Sequence, residues 1–214
     1  KGEAHIHSEP VAIPMKDTYM ALTIDSGMRS SRGGPSFSQK IEQRIEIPGM
    51  YNFFRVGSAE LSLVKNELYE PEQVLVVQTT DGVLEAEIQK NLSVYLLPQD
   101  LPAMQGRPAI KNYQWHDVTI IGTEVLNVST PMKLEPLPAD KEFTTLHSFK
   151  YKVEPGKYLY IKIAKGTQSR GGYILSKDFD TIERVQAFPR ELNIMYDGAV
   201  LSLSGEKKLT IVSR

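Results

Sequence analysis

Hydrophobic side chains in this chain recur every second residue. Ile41, Gln43, Ile45 and Ile47 share one parity while Lys40, Glu42, Arg44 and Glu46 share the other, which is a strand with one wet and one buried face. Glu60-Leu61-Ser62-Leu63 and Leu92-Ser93-Val94-Tyr95-Leu96 alternate in the same way, and Val74-Leu75-Val76-Val77 is apolar on both parities. The pattern predicts an all-β fold, an antiparallel β-sandwich, organised around the stretch from Ser58 to Leu97 with its three strands as neighbours in one sheet.

The remaining segments fit around that stretch. Residues 1–16 carry Pro10 and Pro14 and little periodicity, so they read as a linker. Tyr19 to Ile24 is a strand with Met20, Leu22 and Ile24 on one face, ending at Asp25-Ser26-Gly27. Tyr51-Asn52-Phe53-Phe54-Arg55-Val56 is an aromatic strand or bridge whose rings belong in the core. Between Val83 and Lys90 the spacing turns helical, with Asp81 as the cap, and Thr123-Glu124-Val125-Leu126 opens a second short helix. Six prolines from Pro98 to Pro138 make that segment a long excursion and not a sheet.

His147, Phe149, Tyr151 and Val153 then alternate with polar neighbours, Glu154-Pro155-Gly156-Lys157 has turn chemistry, and Tyr158 to Ile163 runs back as a hairpin. Tyr173-Ile174-Leu175 and Ile182-Glu183-Arg184-Val185 are expected as short strands. Phe188-Pro189-Arg190 reads as a domain junction. Beyond it Leu192-Asn193-Ile194 starts a strand, and Ala199, Leu201 and Leu203 face Leu209 and Ile211 across a turn at Ser204-Gly205-Glu206-Lys207. The expected organisation is a linker over 1–16, a sandwich domain over 17–188 with an insertion over 98–138, and the opening strands of a following domain over 189–214.

Residues with chemistry are present, but none is arranged as a reaction centre. His5-Ile6-His7 has the spacing of two ligands to one metal, with no third ligand nearby. Arg29 to Pro35 is rich in glycine yet leads into a strand instead of the helix that a phosphate cradle needs, so it reads as a flexible surface loop. The carboxylates of Glu67, Glu70 and Glu72 lack the alternating ligands and central glycine of a calcium loop and read as a solvated turn. Trp115-His116-Asp117 would suit a sugar-stacking ring beside an acid-base pair. Adjacent residues of an extended chain point to opposite sides, however, so Trp115 reads as the anchor of the excursion. His147 lies on the apolar parity and is expected to be a hydrogen-bonded core histidine. No catalytic, cofactor-binding or metal-binding residues are assigned, and no cofactor is expected.

Composition removes further classes. The 25 basic and 26 acidic residues are scattered, giving a formal charge of −1, which excludes nucleic acid as the expected partner. With no cysteine there is no disulfide, thiolate metal site, cysteine nucleophile or thioester within these residues. No apolar run approaches the roughly 18 residues of a membrane span.

The runs Ile47-Pro48-Gly49-Met50-Tyr51, Phe54-Arg55-Val56-Gly57-Ser58-Ala59-Glu60 and Tyr69-Glu70-Pro71-Glu72-Gln73-Val74-Leu75 resemble the N-terminal part of large bacterial alpha-2-macroglobulins. Val94 to Pro98, Leu146-His147-Ser148-Phe149, Pro155 to Tyr160 and Gly171-Gly172-Tyr173 follow in the same order and resemble one macroglobulin-like domain. Pro189-Arg190-Glu191-Leu192 to Arg214 resembles the start of the next. The resemblance implies an immunoglobulin- or fibronectin-like sandwich that is a non-catalytic part of a periplasmic protease-trapping protein, an endopeptidase inhibitor of bacterial defence tethered to the inner membrane by an N-terminal lipid. It implies as partners the neighbouring macroglobulin-like domains, target proteases, and a cell-wall synthase or other envelope proteins. The alternative left open by the residues is a carbohydrate- or cell-wall-binding module using Tyr113 and Trp115.

Overall fold

The structure is a computed structural model that describes residues 9, 11–29, 32–66, 70–189, 192–194 and 211–213, the last two stretches by backbone alone. Two four-stranded antiparallel sheets form its main body. The first has the order β3-β4-β8-β7, from Val56–Lys65, Pro71–Leu84, Phe143–Lys150 and Glu135–Leu137. The second has the order β10-β9-β5-β6, from Phe179–Arg184, Tyr158–Ile163, Leu92–Leu96 and Thr130–Pro131. Leu75, Val77 and Phe149 of the first sheet pack against Val94, Ile161 and Ile163 of the second, and all six are buried. Their alternation places every second side chain in the space between the layers. The result is the expected all-β sandwich.

The strand at Leu92 to Leu96 is not in the sheet of the other two. Helix α1 (Glu85–Asn91) carries the chain across the end of the sandwich, with Ile88 fully buried, and delivers β5 to the opposite layer. An apolar-parity strand is compatible with either layer, so alternation alone could not assign it. The helix starts two residues later than expected. Asp81 is not its cap: it lies in β4, where its carboxylate accepts from the Gly82 and Gly171 amides at 2.8 and 3.4 Å.

The expected hairpin at residues 147–163 is also redistributed. β8 pairs with β4 and β7, whereas β9 pairs with β10 and β5, so the connection is an arch between layers. Gln73 holds it. Its amide donates to the Val153 carbonyl at 2.7 Å and accepts from the Val153 amide at 2.8 Å, so the arch finds its backbone partners on the opposite strand. Gly156 supplies the positive φ of 85° that closes the turn. Tyr173-Ile174-Leu175 is loop, with one bridge from Ile174 to Gln168, while β10 covers the expected strand near Ile182.

The first part of the excursion, residues 98–128, folds onto the outer face of the second sheet as a third layer. The expectation that residues 98–138 stay out of the sheets fails at their end, where Thr130–Pro131 pairs with β5 and Glu135–Leu137 pairs with β8 as edge strands. Tyr95 and Tyr160 point outward from β5 and β9, and Leu97, Leu101, Trp115 and Val125 cover them. α2 (Thr123–Val128) contributes Val125, where sequence placed a helical turn.

A separate two-stranded ribbon pairs β1 (Thr18–Ile24) with β2 (Ile41–Ile47) and shares no ladder with either four-stranded sheet. Its root is tied down: the Asp17 carboxylate accepts from Gly49 N at 2.7 Å and Asn52 Nδ2 at 2.8 Å, and Met50 N donates to the Pro14 carbonyl. Gly49 is needed there because a Cβ would sit 2.9 Å from the Lys16 backbone. The expected buried face of β2 is not covered, since Ile41 and Ile45 are 41% and 51% exposed. Of the aromatic bridge, Phe54 is buried as expected, but Tyr51 and Phe53 are exposed. β11 (Leu192–Ile194) pairs with β12 (Ile211–Ser213). The facing set of Ala199, Leu201, Leu203 and Leu209 lies outside the described residues.

Candidate functional site

The polar residues that could carry chemistry are placed apart from one another. Trp115 is 3% exposed, its Nε1 donates to the Pro98 carbonyl at 2.8 Å, and the Tyr113 ring meets it edge-on at 5.1 Å. No ring face is left for a sugar to stack on. The next residue, His116, points outward, with Nδ1 2.8 Å from the Gln114 carbonyl. Asp117 turns to cap the short 3-10 helix at Val118–Ile120. It accepts from the Thr119 hydroxyl and amide, which hold its carboxyl below the usual carboxylate range. The three residues therefore serve packing, solvent and capping, and they do not form an acid-base pair beside a platform.

His147 is buried on the inner side of β8 at 2% exposure, but it is not hydrogen-bonded as expected. Among the described residues, neither ring nitrogen has a partner in hydrogen-bonding geometry. Burial pushes its pKa down, and the nearby Thr144 backbone and the Glu85 carboxylate of α1 oppose that only in part. It reads as a neutral core residue. The Ser169 hydroxyl is likewise buried and without a hydrogen-bond partner among the described residues.

The expected carboxylate turn is partly structured. Glu72 pairs with Lys150 at 2.8 Å across the strands and accepts from Asn66 Nδ2 at 3.2 Å, contacts that depress its pKa, Lys150 first. Glu70 N donates to Asn66 Oδ1, whereas Glu67 lies outside the described residues. The Glu72–Lys150 pair lines an open groove of about 780 Å³, together with Lys133, Pro136, Tyr151 and Phe188. The groove is open and holds no nucleophile beside a base, which suits contact with a protein surface better than turnover of a substrate. Sequence reasoning missed it, although Gln73, a polar residue on the buried parity of β4, marked the neighbouring arch.

Among the described residues, no three His, Asp or Glu side chains gather in a way that could hold a metal ion. His5 and His7 lie outside the described residues, as do Ser30 and Ser31 of the glycine-rich loop. The described part of that loop, Arg29 and residues 32–35, lies between the two strands of the ribbon, with Gly33 and Gly34 at positive φ and the strand β2 following instead of a helix.

Fold and site together define an antiparallel, immunoglobulin-like β-sandwich domain, with an added outer layer and no assembled reaction centre among the described residues. Comparison with known proteins narrows that class. The chain is 28% identical over 227 residues to an alpha-2-macroglobulin of Rickettsia conorii, covering 99% of this chain and 12% of the relative. It is 28% identical over 218 residues to an alpha-2-macroglobulin homolog of Yersinia pestis, covering 100% of this chain and 11% of the relative. An alpha-2-macroglobulin of Pasteurella multocida is 26% identical over 213 residues, covering 99% of this chain and 11% of the relative. The chain is thus alpha-2-macroglobulin-like along its whole length and spans about a ninth of the curated relatives it matches. No family model and no solved structure matches it.

Proposed function

We propose that this chain is a non-catalytic structural unit of a bacterial alpha-2-macroglobulin that traps proteases, with residues 189–214 opening the next macroglobulin-like unit. The observation that carries the reading is similarity along the whole chain to three bacterial alpha-2-macroglobulins. The dispersal of the described histidines and carboxylates supports a unit that holds neighbouring domains instead of doing chemistry. Its partners are the adjoining domains and, through the full-length protein, target proteases and envelope proteins such as a cell-wall synthase. Its location is the periplasm, with an N-terminal lipid tether on the full-length protein.

The experiment is to expose the full-length protein to a general protease and follow two substrates. Trapping leaves cleavage of a small chromogenic peptide intact while cleavage of a large protein substrate falls. Equal activity on both substrates, with or without the full-length protein, contradicts the proposal.

A further inference from the structure

Half of the exposed large apolar side chains lie between Val11 and Ile45, a stretch that makes up less than a fifth of the described residues. Three of these eight, Met20, Ile41 and Ile45, lie on one face of the ribbon. Met20 stands opposite Ile45, Leu22 opposite Gln43, Ile24 opposite Ile41 and Thr18 opposite Ile47, so these side chains share one face. The other face carries Glu42, Arg44 and Glu46, with the Arg44 guanidinium 4.7 Å from the centre of the Tyr19 ring. This is the sidedness of a sheet with one solvated and one packed surface, yet among the described residues Met20, Ile41 and Ile45 of that face stay exposed. A two-stranded ribbon on its own is marginal in water.

The dimensions choose the occupant. Seven residues per strand make a ribbon about 23 Å long and about 10 Å wide, a face on the order of 250 Å². A free protein partner needs about 800 Å² on each side. A segment joined to the same polypeptide needs far less, because linkage supplies the effective concentration that area would otherwise have to provide. The relatives extend well beyond the matched segment, which is 11–12% of their length.

We propose that the apolar face of the β1–β2 ribbon is an internal docking surface, covered by a β-layer with an alternating apolar face from the same polypeptide beyond these 214 residues. The ribbon is then half of a second sandwich, hinged to the main one where Asp17 grips Gly49 and Asn52. This does not depend on the protease-trapping reading, since any long chain could supply the layer.

Amide hydrogen exchange read by mass spectrometry, on this chain and on the full-length protein, tests it. Peptides covering 18–24 and 41–47 are expected to exchange rapidly in the 214-residue chain and about 100-fold more slowly in the full-length protein. Ile45→Asp should abolish that slowing, while Glu42→Lys on the wet face preserves it. Exchange in β4 and β9, followed in the same spectra, should be unchanged by either substitution. Equal rates in the short and full-length proteins overturn the proposal. Slow exchange in the short chain that speeds up on dilution also overturns it and assigns the face to a second copy.

Discussion

At the scale of single residues, parity was a good guide to burial and a poor guide to partners. His147 sits inside, as its alternation with Phe149 and Tyr151 requires, yet its nitrogens are unsatisfied, and no sequence pattern reports a missing hydrogen bond. The consequence is a pH dependence. The unfolded ring titrates near 6.5 and the folded ring below it, so as pH falls through about 6.5 the unfolded chain takes up a proton that the folded chain does not. Stability is therefore complete above that range and declines below it. Urea midpoints should be lower at about pH 5.5 than at about pH 7.5, and His147→Leu should flatten the difference. The variant should also gain about 1 kcal/mol at neutral pH, because it removes two buried nitrogens that find no partner in hydrogen-bonding geometry among the described residues. A midpoint shift that persists in the variant would assign the dependence to other groups.

At the scale of elements, strand existence was legible and strand membership was not. The alternating runs at Leu61, Leu92, Phe149 and Ile161 and the continuous apolar run at Val74 all became strands. Two expected neighbours nevertheless fell in opposite layers, because one buried face looks the same whichever sheet presents it. What decides the layer is the connection: helix α1 crosses over before β5, and the clamped arch crosses before β9. The arch can be tested through Gln73→Leu, which strips the Val153 amide and carbonyl of their partner at a buried position. A loss of about 2 kcal/mol in urea denaturation is expected. The outer layer depends on its single tryptophan. Trp115→Ala should cost about 3–5 kcal/mol. In the unaltered chain Trp115 fluorescence should show a buried indole that does not shift when peptidoglycan fragments are titrated in. A saturable shift would restore the carbohydrate-binding reading.

At the scale of the whole molecule, sequence motifs spread from Ile47 to Arg214 carried the resemblance to alpha-2-macroglobulins, and the relatives match 99–100% of the chain. The candidate site was less legible. A groove formed by Glu72, Lys150 and Phe188 joins residues far apart in sequence, and no local pattern announces it. The account's central claim is that this segment builds and does not act. The measurement that reaches it most directly is to add the 214-residue chain, first equimolar and then in excess, to a general protease and to assay small and large substrates. The account predicts that neither rate changes and that the chain cleaves nothing itself; clear inhibition, or new hydrolysis that purifies with the chain, contradicts it.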